Sequence, residues 1–442
     1  MDIKKRIQMF RESMDYKMYI WGEEYYRGNN TLICERQKYY YDTTYQKQMC
    51  DPYKANHKLP SGFFKKIVDQ KVQYLLGNGL FSEHKDKLND LTGDIDEYLI
   101  DLGTTASKKS LAWSHLFIDD GNKKVFQVPT EQIIAIYNSK GELALVIRFY
   151  ITTEVMDGEF IELHMAEIWD AETVETWIKV EDKYQRESVE PHVIKSVNFN
   201  GATVEQESNA FGYVPYIPLY NNKEHDSDLK NIIDFIDIYD ITNSDFANNI
   251  DDMQDAYYII KNFQGQDLEE FLSQLKKDKV VQVGEDGDVD SKQMVIPTEA
   301  RTKFLDMTHK NIFEFSMSVD TKNASGGSLT NVAIKSMYAD LDLKTDQFEM
   351  QVKKHLNKLL WIIDPNLEPD WTFERSLIIN EAELLKANVG QKGSISEKTR
   401  LDNHAWVQDT EEEMELMEKE QEEMLDSMNF DPIEDEDEEG EK

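Results

Sequence analysis

The sequence predicts an α+β protein, mainly helical, on three observations. Two long apolar stripes with helical spacing run between Asp228 and Trp361, and an aromatic-rich block from Trp113 to Tyr220 alternates with a period of two. Further helical patterns flank both. In the first stripe Leu229, Ile232, Ile236, Tyr239, Phe246, Ile250, Met253 and Tyr257 recur at steps of three and four, which keeps them on one helix face. Asn243 alone puts a polar side chain into that stripe. In the second, Ile334, Met337, Leu341, Phe348, Val352, Leu356 and Leu359 hold the face, with Thr345 polar at its step. At about 1.5 Å per residue such helices span roughly 45–50 Å, well beyond the usual three turns. Struts of that length suit a scaffold better than a catalytic pocket.

Taken in order, residues 1 to about 110 read as helical. Phe63, Phe64, Ile67, Val68, Val72, Leu75 and Leu76 form a broad apolar face that begins after Pro60 and stops at Gly77-Asn78-Gly79. A further helical pattern covers Ser82 to Ser110. The block 113–220 is an antiparallel β module, with turns at Asp120-Gly121-Asn122, Asn138-Ser139-Lys140-Gly141 and Asp157-Gly158. Phe211 to Asn222 carries Pro215 and Pro218 and reads as an extended connector. A small insertion follows the first long helix: a short helix, a strand near Val280–Val283, an acidic turn and a second strand. A helix over Arg301–Met317 comes next. Thr321–Asn331, TKNASGGSLTN, is too rich in Gly, Ser and Asn to be helical. Beyond Trp361, DPNLEPDW breaks the chain, WTFERSLIIN is strand-like, and two helical patterns precede a disordered acidic tail.

The 442 residues suffice for two to four domains, and the formal charge is −37. Taken at face value, so acidic a chain argues against nucleic acid, because phosphate is gripped by patches of Lys and Arg. The charge leaves one exception open, an acidic wall that lets DNA pass without gripping it. Cys34 and Cys50 have no metal-like spacing and read as reduced thiols. The N-terminus has no apolar signal region, and no apolar run is long enough to span a membrane.

Catalytic patterns are missing. GxxxxGK[ST], HExxH and GxSxG do not occur. Asp286, Asp288 and Asp290 imitate the start of a calcium loop, but Ser291 stands where glycine is required and Pro297 where the bidentate Glu belongs, which leaves a solvated acidic turn. Asp119-Asp120 reads as a hairpin turn, and His57, His115, His164 and His225 are scattered. No cofactor is expected. The loop Ser325-Gly326-Gly327-Ser328 has two readings. It is a plain helix–helix connection, or a mobile loop presenting Lys322, Asn323, Ser328, Thr330 and Asn331 to phosphate without reading sequence.

Four stretches in this order, NHKLPSGFFKKIVDQKVQYLLGNG, VPYIPLYNNKEHDSDLKNIIDFIDIYDITNSDFANNIDDMQDAYYIIK, SGGSLTNVAIK and GSISEKTRLDNHAWVQDTEEEMELMEKE, cover nearly the whole chain. In them the chain resembles the portal (head–tail connector) proteins of tailed bacteriophages, in the branch common among phages of Gram-positive bacteria. The resemblance implies a homo-oligomeric ring, dodecameric in the virion, at one capsid vertex around a channel for double-stranded DNA. It implies assembly in the host cytoplasm and docking to the terminase large subunit, a head–tail adaptor, and the major capsid and scaffolding proteins, with no enzymatic activity. It divides the chain into a wing (1–226, β module 113–220), a stem helix (227–262), a clip (263–300) and a second stem helix (301–320). A tunnel loop (321–331), a long helix returning to the wing (332–372), a short crown (373–428) and an acidic tail (429–442) follow. DNA contact is then expected at Lys322, Asn323, Ser325, Gly326, Gly327, Ser328, Thr330 and Asn331. Asn243, Arg301, Lys303, Lys310 and Lys335 belong to the stem and channel, with Asn243 fixing packing register. Lys276, Lys277, Asp286, Asp288 and Asp290 belong to the partner surface of the clip. Two other readings remain: a structural adaptor that never contacts DNA, and a nucleic-acid enzyme, for which the required motifs are lacking.

Overall fold

The computed structural model describes residues 2–42, 45–51, 54–119, 121–156, 159–199, 202–252, 257–261, 288–292, 297–324, 330–376, 394, 396–402, 407 and 410–428. It is a mixed helix-and-sheet protein of two units, Met1–Asp320 with Asp340–Ser376, and Thr321–Ala339 with Leu377–Lys442.

In the first unit, α1 (Ile3–Glu12) and α2 (Met14–Tyr26) part at Ser13, whose Oγ accepts from the N–H of Tyr16 at 3.2 Å and caps the second helix. After the single turn α3 (Thr31–Cys34), β1 (Tyr39–Asp42) and β2 (Lys47–Cys50) form a hairpin. The all-helical expectation for residues 1–110 is corrected there, because YYYD is a run of strand-forming aromatics with no helical stripe. Then come α4 (Phe63–Leu76), β3 (Leu80–Phe81), α5 (Lys85–Thr92) and α6 (Ile95–Lys109). The single helix expected over Ser82–Ser110 is two, since Asp94 accepts from the N–H of Asp96 at 2.9 Å and starts α6 afresh.

The β module is antiparallel, as expected. β4 (Leu111–Asp119) and β5 (Asn122–Val128) turn at Gly121, whose φ of +81° a residue with a side chain rarely adopts. β6 (Ile133–Tyr137), β7 (Leu143–Met156), β8 (Glu159–Trp169), β9 (Thr173–Val180) and β10 (Lys183–Pro191) make a five-stranded meander. β11 (Val193–Phe199) and β12 (Ala202–Asn209) form a separate hairpin. The expected connector contains a strand, β13 (Tyr216–Tyr220), on the outer edge of β4. Pro218 is tolerated because an edge strand need not donate from every residue.

α7 (Ile233–Asp252) is shorter than the expected helix over 227–262. Tyr257 leaves the stripe for β14 (Tyr257–Lys261), because YYIIK is a strand-forming run, and it pairs with β15 (Asp288–Lys292). Asp288 and Asp290 therefore lie on a strand opposite Lys261 and Ile259 rather than in an acidic turn. α8 (Thr298–Phe315) and the long α9 (Asn331–Ile363) appear close to their expected bounds. β16 (Thr372–Phe373) closes onto β3. In the second unit α10 (Glu397–Asp402) and α11 (Thr410–Met428) are joined by Lys398–Glu411 at 3.2 Å. The expected strand at Val280–Val283, the helix over EAELLKANVGQKG and the tail 429–442 lie outside the described residues.

The main core gathers α4, α6, α7 and α9. Phe64, Ile67, Leu75, Leu99, Leu102, Ile236, Phe348, Val352, Leu356 and Leu359 are all buried in one cluster. Each such side chain contributes roughly 1.5–3 kcal/mol of apolar burial. Gly103 admits α9 closely, since a Cβ there would sit 3.0 Å from the Phe348 ring. The second sequence stripe is thus the buried face of α9 from Leu341 onward, Thr345 included.

Candidate nucleic-acid interface

α7 and α8 run antiparallel. Phe235 near the start of α7 meets Phe315 at the end of α8 with ring centroids 5.1 Å apart, and Arg301 near the start of α8 lies 5.9 Å from the Phe246 ring of α7. Phe63 of α4 packs edge-on against Tyr239 and His309, centroids 5.0 and 5.3 Å away. The pair is therefore seated on the core by aromatic contacts from three helices.

The first stripe is buried only in part. Leu229, Ile232 and Ile236 are in the core, but Ile250 is 53% exposed. Beyond Ile236 the buried face turns polar, to Asp240, Ser244 and Asn248 at four-residue steps. Each accepts a hydrogen bond from the chain entering α4: Asp240 Oδ1 from the N–H of Ser61 (3.0 Å), Ser244 Oγ from Leu59 (3.0 Å), Asn248 Oδ1 from His57 (2.6 Å). Four helical residues rise about 6 Å and two extended residues about 6.6 Å, so the two repeats keep step over three rungs. Asp245 adds ion pairs to Arg36 (2.9 Å) and Lys38 (2.8 Å). Burial raises the Asp240 carboxyl above its ordinary pKa despite the bonds from Asn30 and Ser61. At Asp245 burial also acts upward, but the bonds from Arg36 and Lys38 outweigh it and lower the carboxyl.

Asn243 is half-buried, one position from this ladder, so the buried polar groups of α7 are Asp240, Ser244 and Asn248. Their four-residue spacing was readable in the sequence, but a search for apolar periodicity passes over it.

The outward face of α8 carries Glu299, Lys303, Asp306, Lys310 and Glu314, all exposed and three or four residues apart. Charge alternates along it and sums to −1. Lys303 pairs with Glu299 at 2.6 Å, an exposed i,i+4 contact of roughly 0.3–0.5 kcal/mol. Such a face offers phosphate no concentrated positive site. Arg301 is half-buried against Phe246. In the second unit, Thr321–Ala324 forms one turn of 3₁₀ helix, which corrects the wholly non-helical expectation for the loop, and Lys322 is exposed there. Asn323 belongs to the same turn. Thr330 Oγ1 accepts from the N–H of Ala333 at 3.3 Å and caps the long helix, whose first residue is Asn331. Lys335 is exposed one turn later. Ser325, Gly326, Gly327, Ser328, Lys276, Lys277 and Asp286 lie outside the described residues. Among the described residues no three His, Cys, Asp or Glu side chains are grouped to hold a metal, and no helix is long and apolar enough to cross a membrane.

A family model described as "Phage portal protein, SPP1 Gp6-like" matches residues 11–425. The portal protein of Bacillus phage SPP1 is 30% identical over 431 residues, spanning 90% of this chain and 82% of that protein. The portal protein of Clostridium phage phiCD119 is 30% identical over 395 residues, spanning 82% of this chain and 84% of its own. A chain from the neck of a native GTA particle, computed with C12 symmetry, overlays with a TM-score of 0.43 at 11% identity, covering 78% of this chain and 90% of that one. With a family match along almost its entire length and two relatives at this identity, the chain belongs to the phage portal protein family, the head–tail connector proteins of SPP1-like type.

Proposed function

We propose that this chain is the subunit of a portal ring at one capsid vertex, a structural conduit for double-stranded DNA without catalytic activity of its own. Family membership across residues 11–425 is the observation that carries this reading. In it, the N-terminal helices and β module form the wing, α7 and α8 the stem, the insertion between them the clip, and the helices after residue 373 the crown. The alternating face of α8 supports the reading physically, because mixed exposed charges with a slight negative excess hold no phosphate in place.

The loop 321–331 then touches the DNA. Lys322, Asn323 and the Ser/Gly run 325–328 make contacts that do not depend on base sequence, while Thr330 and Asn331 anchor the loop to the long helix. Lys310 and Lys335 are the nearest exposed cations in sequence. The clip, with Lys276, Lys277, Asp286, Asp288 and Asp290, meets the terminase large subunit during packaging and a head–tail adaptor afterwards. Capsid and scaffolding proteins meet the ring during assembly in the host cytoplasm. Deleting Ala324–Ser328 tests the assignment of the loop: rings should still form while DNA packaging or retention falls. Loss of ring formation instead would make the loop a structural element and end the DNA-contact reading.

A further inference from the structure

The β7–β8 hairpin outruns its sheet. β6 ends its pairing with β7 at Arg148, and β9 begins its pairing with β8 at Met165. Among the described residues, 151–156 and 159–164 therefore pair only with each other, as a two-stranded ribbon. The register places Val155 opposite Phe160, Thr153 opposite Glu162 and Ile151 opposite His164, so these six share one face. On that face Ile151 is 53% exposed, Val155 64% and Phe160 81%. A soluble surface rarely clusters bare side chains of this kind without a partner. Glu162 on the same face and Glu154 on the other make the ribbon acidic.

A matching surface lies at the base of the ribbon. Met9, Phe10 and Ile134 line an open groove of about 570 Å³ together with Lys5, Arg6 and the single acid Asp2, which leaves its polar lining with a net positive charge. Helix α1 is unusual in this acidic chain for carrying Lys4, Lys5, Arg6 and Arg11 within eight positions. Phe10 meets Phe149, two residues before the ribbon begins, with centroids 6.1 Å apart. At about 3.3 Å per residue the tip of the ribbon stands roughly 20 Å from that point, so a straight ribbon does not reach its own groove.

We infer that the ribbon docks on a second copy of this chain, Phe160 and Val155 entering the Met9–Phe10–Ile134 groove and Glu162 facing Lys5 and Arg6. Donor and acceptor surfaces differ and lie at opposite ends of one arm. The contact is therefore heterologous and repeats head to tail, which is the interface type that closes a cyclic ring. Acidic arm and net-positive groove also fix the partner as another subunit, since one chain supplies both halves. The inference rests on the ring reading above and adds which surfaces hold neighbouring wings together.

Cross-linking tests it on the full chain. In a Cys34→Ser, Cys50→Ser background, Met9→Cys and Phe160→Cys together should give a ladder of covalent oligomers on mild oxidation, and neither cysteine alone should. Separately, Arg6→Glu should lower the fraction of rings about tenfold or more, since like charges then oppose across the contact, and Glu162→Arg should restore it. Circular dichroism confirms that each variant folds. Wild-type rings with no ladder, or a cross-link confined within one chain, overturn the docked arm and leave the ring reading standing. Wild-type protein that forms no ring either alone or co-expressed with its scaffold removes both.

Discussion

Lys71 Nζ lies 2.6 Å from Asp228 Oδ2 with both side chains buried, joining α4 to the turn that leads into α7. Lys344 of the long helix reaches the same carboxylate at 3.4 Å, and Asn221 donates to its other oxygen at 3.0 Å. Three elements of the core thus share one anion at the root of the proposed stem. Burial alone would raise the pKa of Asp228, but the ammonium groups of Lys344 and Lys71 hold it at about 2. Burial draws the Lys71 ammonium down to about 8 against the pull of Asp228. At neutral pH the pair is charged on both sides.

Removing one partner should therefore cost far more than replacing both. Asp228→Asn is expected to destabilise the fold by roughly 3–5 kcal/mol, because it strands a buried cation. The double change Asp228→Asn, Lys71→Met should recover part of that, as read by chemical denaturation. The folded-state pKa of Asp228 is depressed, so its contribution is complete above the ordinary carboxylate range. It should be lost as pH falls through about 4 toward 2.

The ladder on α7 makes a second expectation. Ser244→Ala leaves the Leu59 N–H without its acceptor and should cost on the order of 1–3 kcal/mol. Hydrogen exchange should rise at Leu59 and its flanking rungs while the far sheet is unaffected. Equal acceleration everywhere would show that the ladder is not a local strap.

Two buried histidines set a pH dependence. Burial pushes His355 down to about 4, opposed by its bond to the Pro218 carbonyl at 3.2 Å. Burial, with Arg148 adding to it, lowers His115 to about 3. Both pKa values are depressed on folding, so the unfolded chain binds the extra protons first. Stability should be full above about 6.5 and fall by up to about 1.4 kcal/mol per pH unit per histidine as pH drops toward 4. His355→Gln should flatten the slope by about one proton.

Ile236 and Ile250 occupy equivalent steps of one sequence stripe but different environments, since Ile236 is fully buried and Ile250 half exposed. Ile236→Asp should prevent folding by burying an unpaired charge. Ile250→Asp should fold normally when judged by circular dichroism, and any defect should appear only in assembly.

That contrast marks what the sequence could and could not reveal. The face of α9 was legible because Leu341 to Leu359 are apolar at every step but Thr345 and pack against apolar helices. The lower half of α7 was not, because its partner is a backbone, and a backbone is satisfied by Asp240, Ser244 and Asn248 rather than by hydrophobic side chains. Tyr257 fits both a helical and a strand period, and only pairing with Asp288–Lys292 decides between them. Family resemblance outlined the candidate interface, yet the alternating charges of α8 needed exposure to be known before they formed one face. The ribbon around Phe160 was invisible as a pattern, since it is defined by where β6 and β9 stop.

Electron microscopy of the purified chain, alone and co-expressed with its scaffold, with light scattering for mass, tests the portal reading most directly. The account predicts closed rings with a central hole of about 20 Å or more, wide enough for duplex DNA. Single-chain mass without rings in both preparations would contradict it.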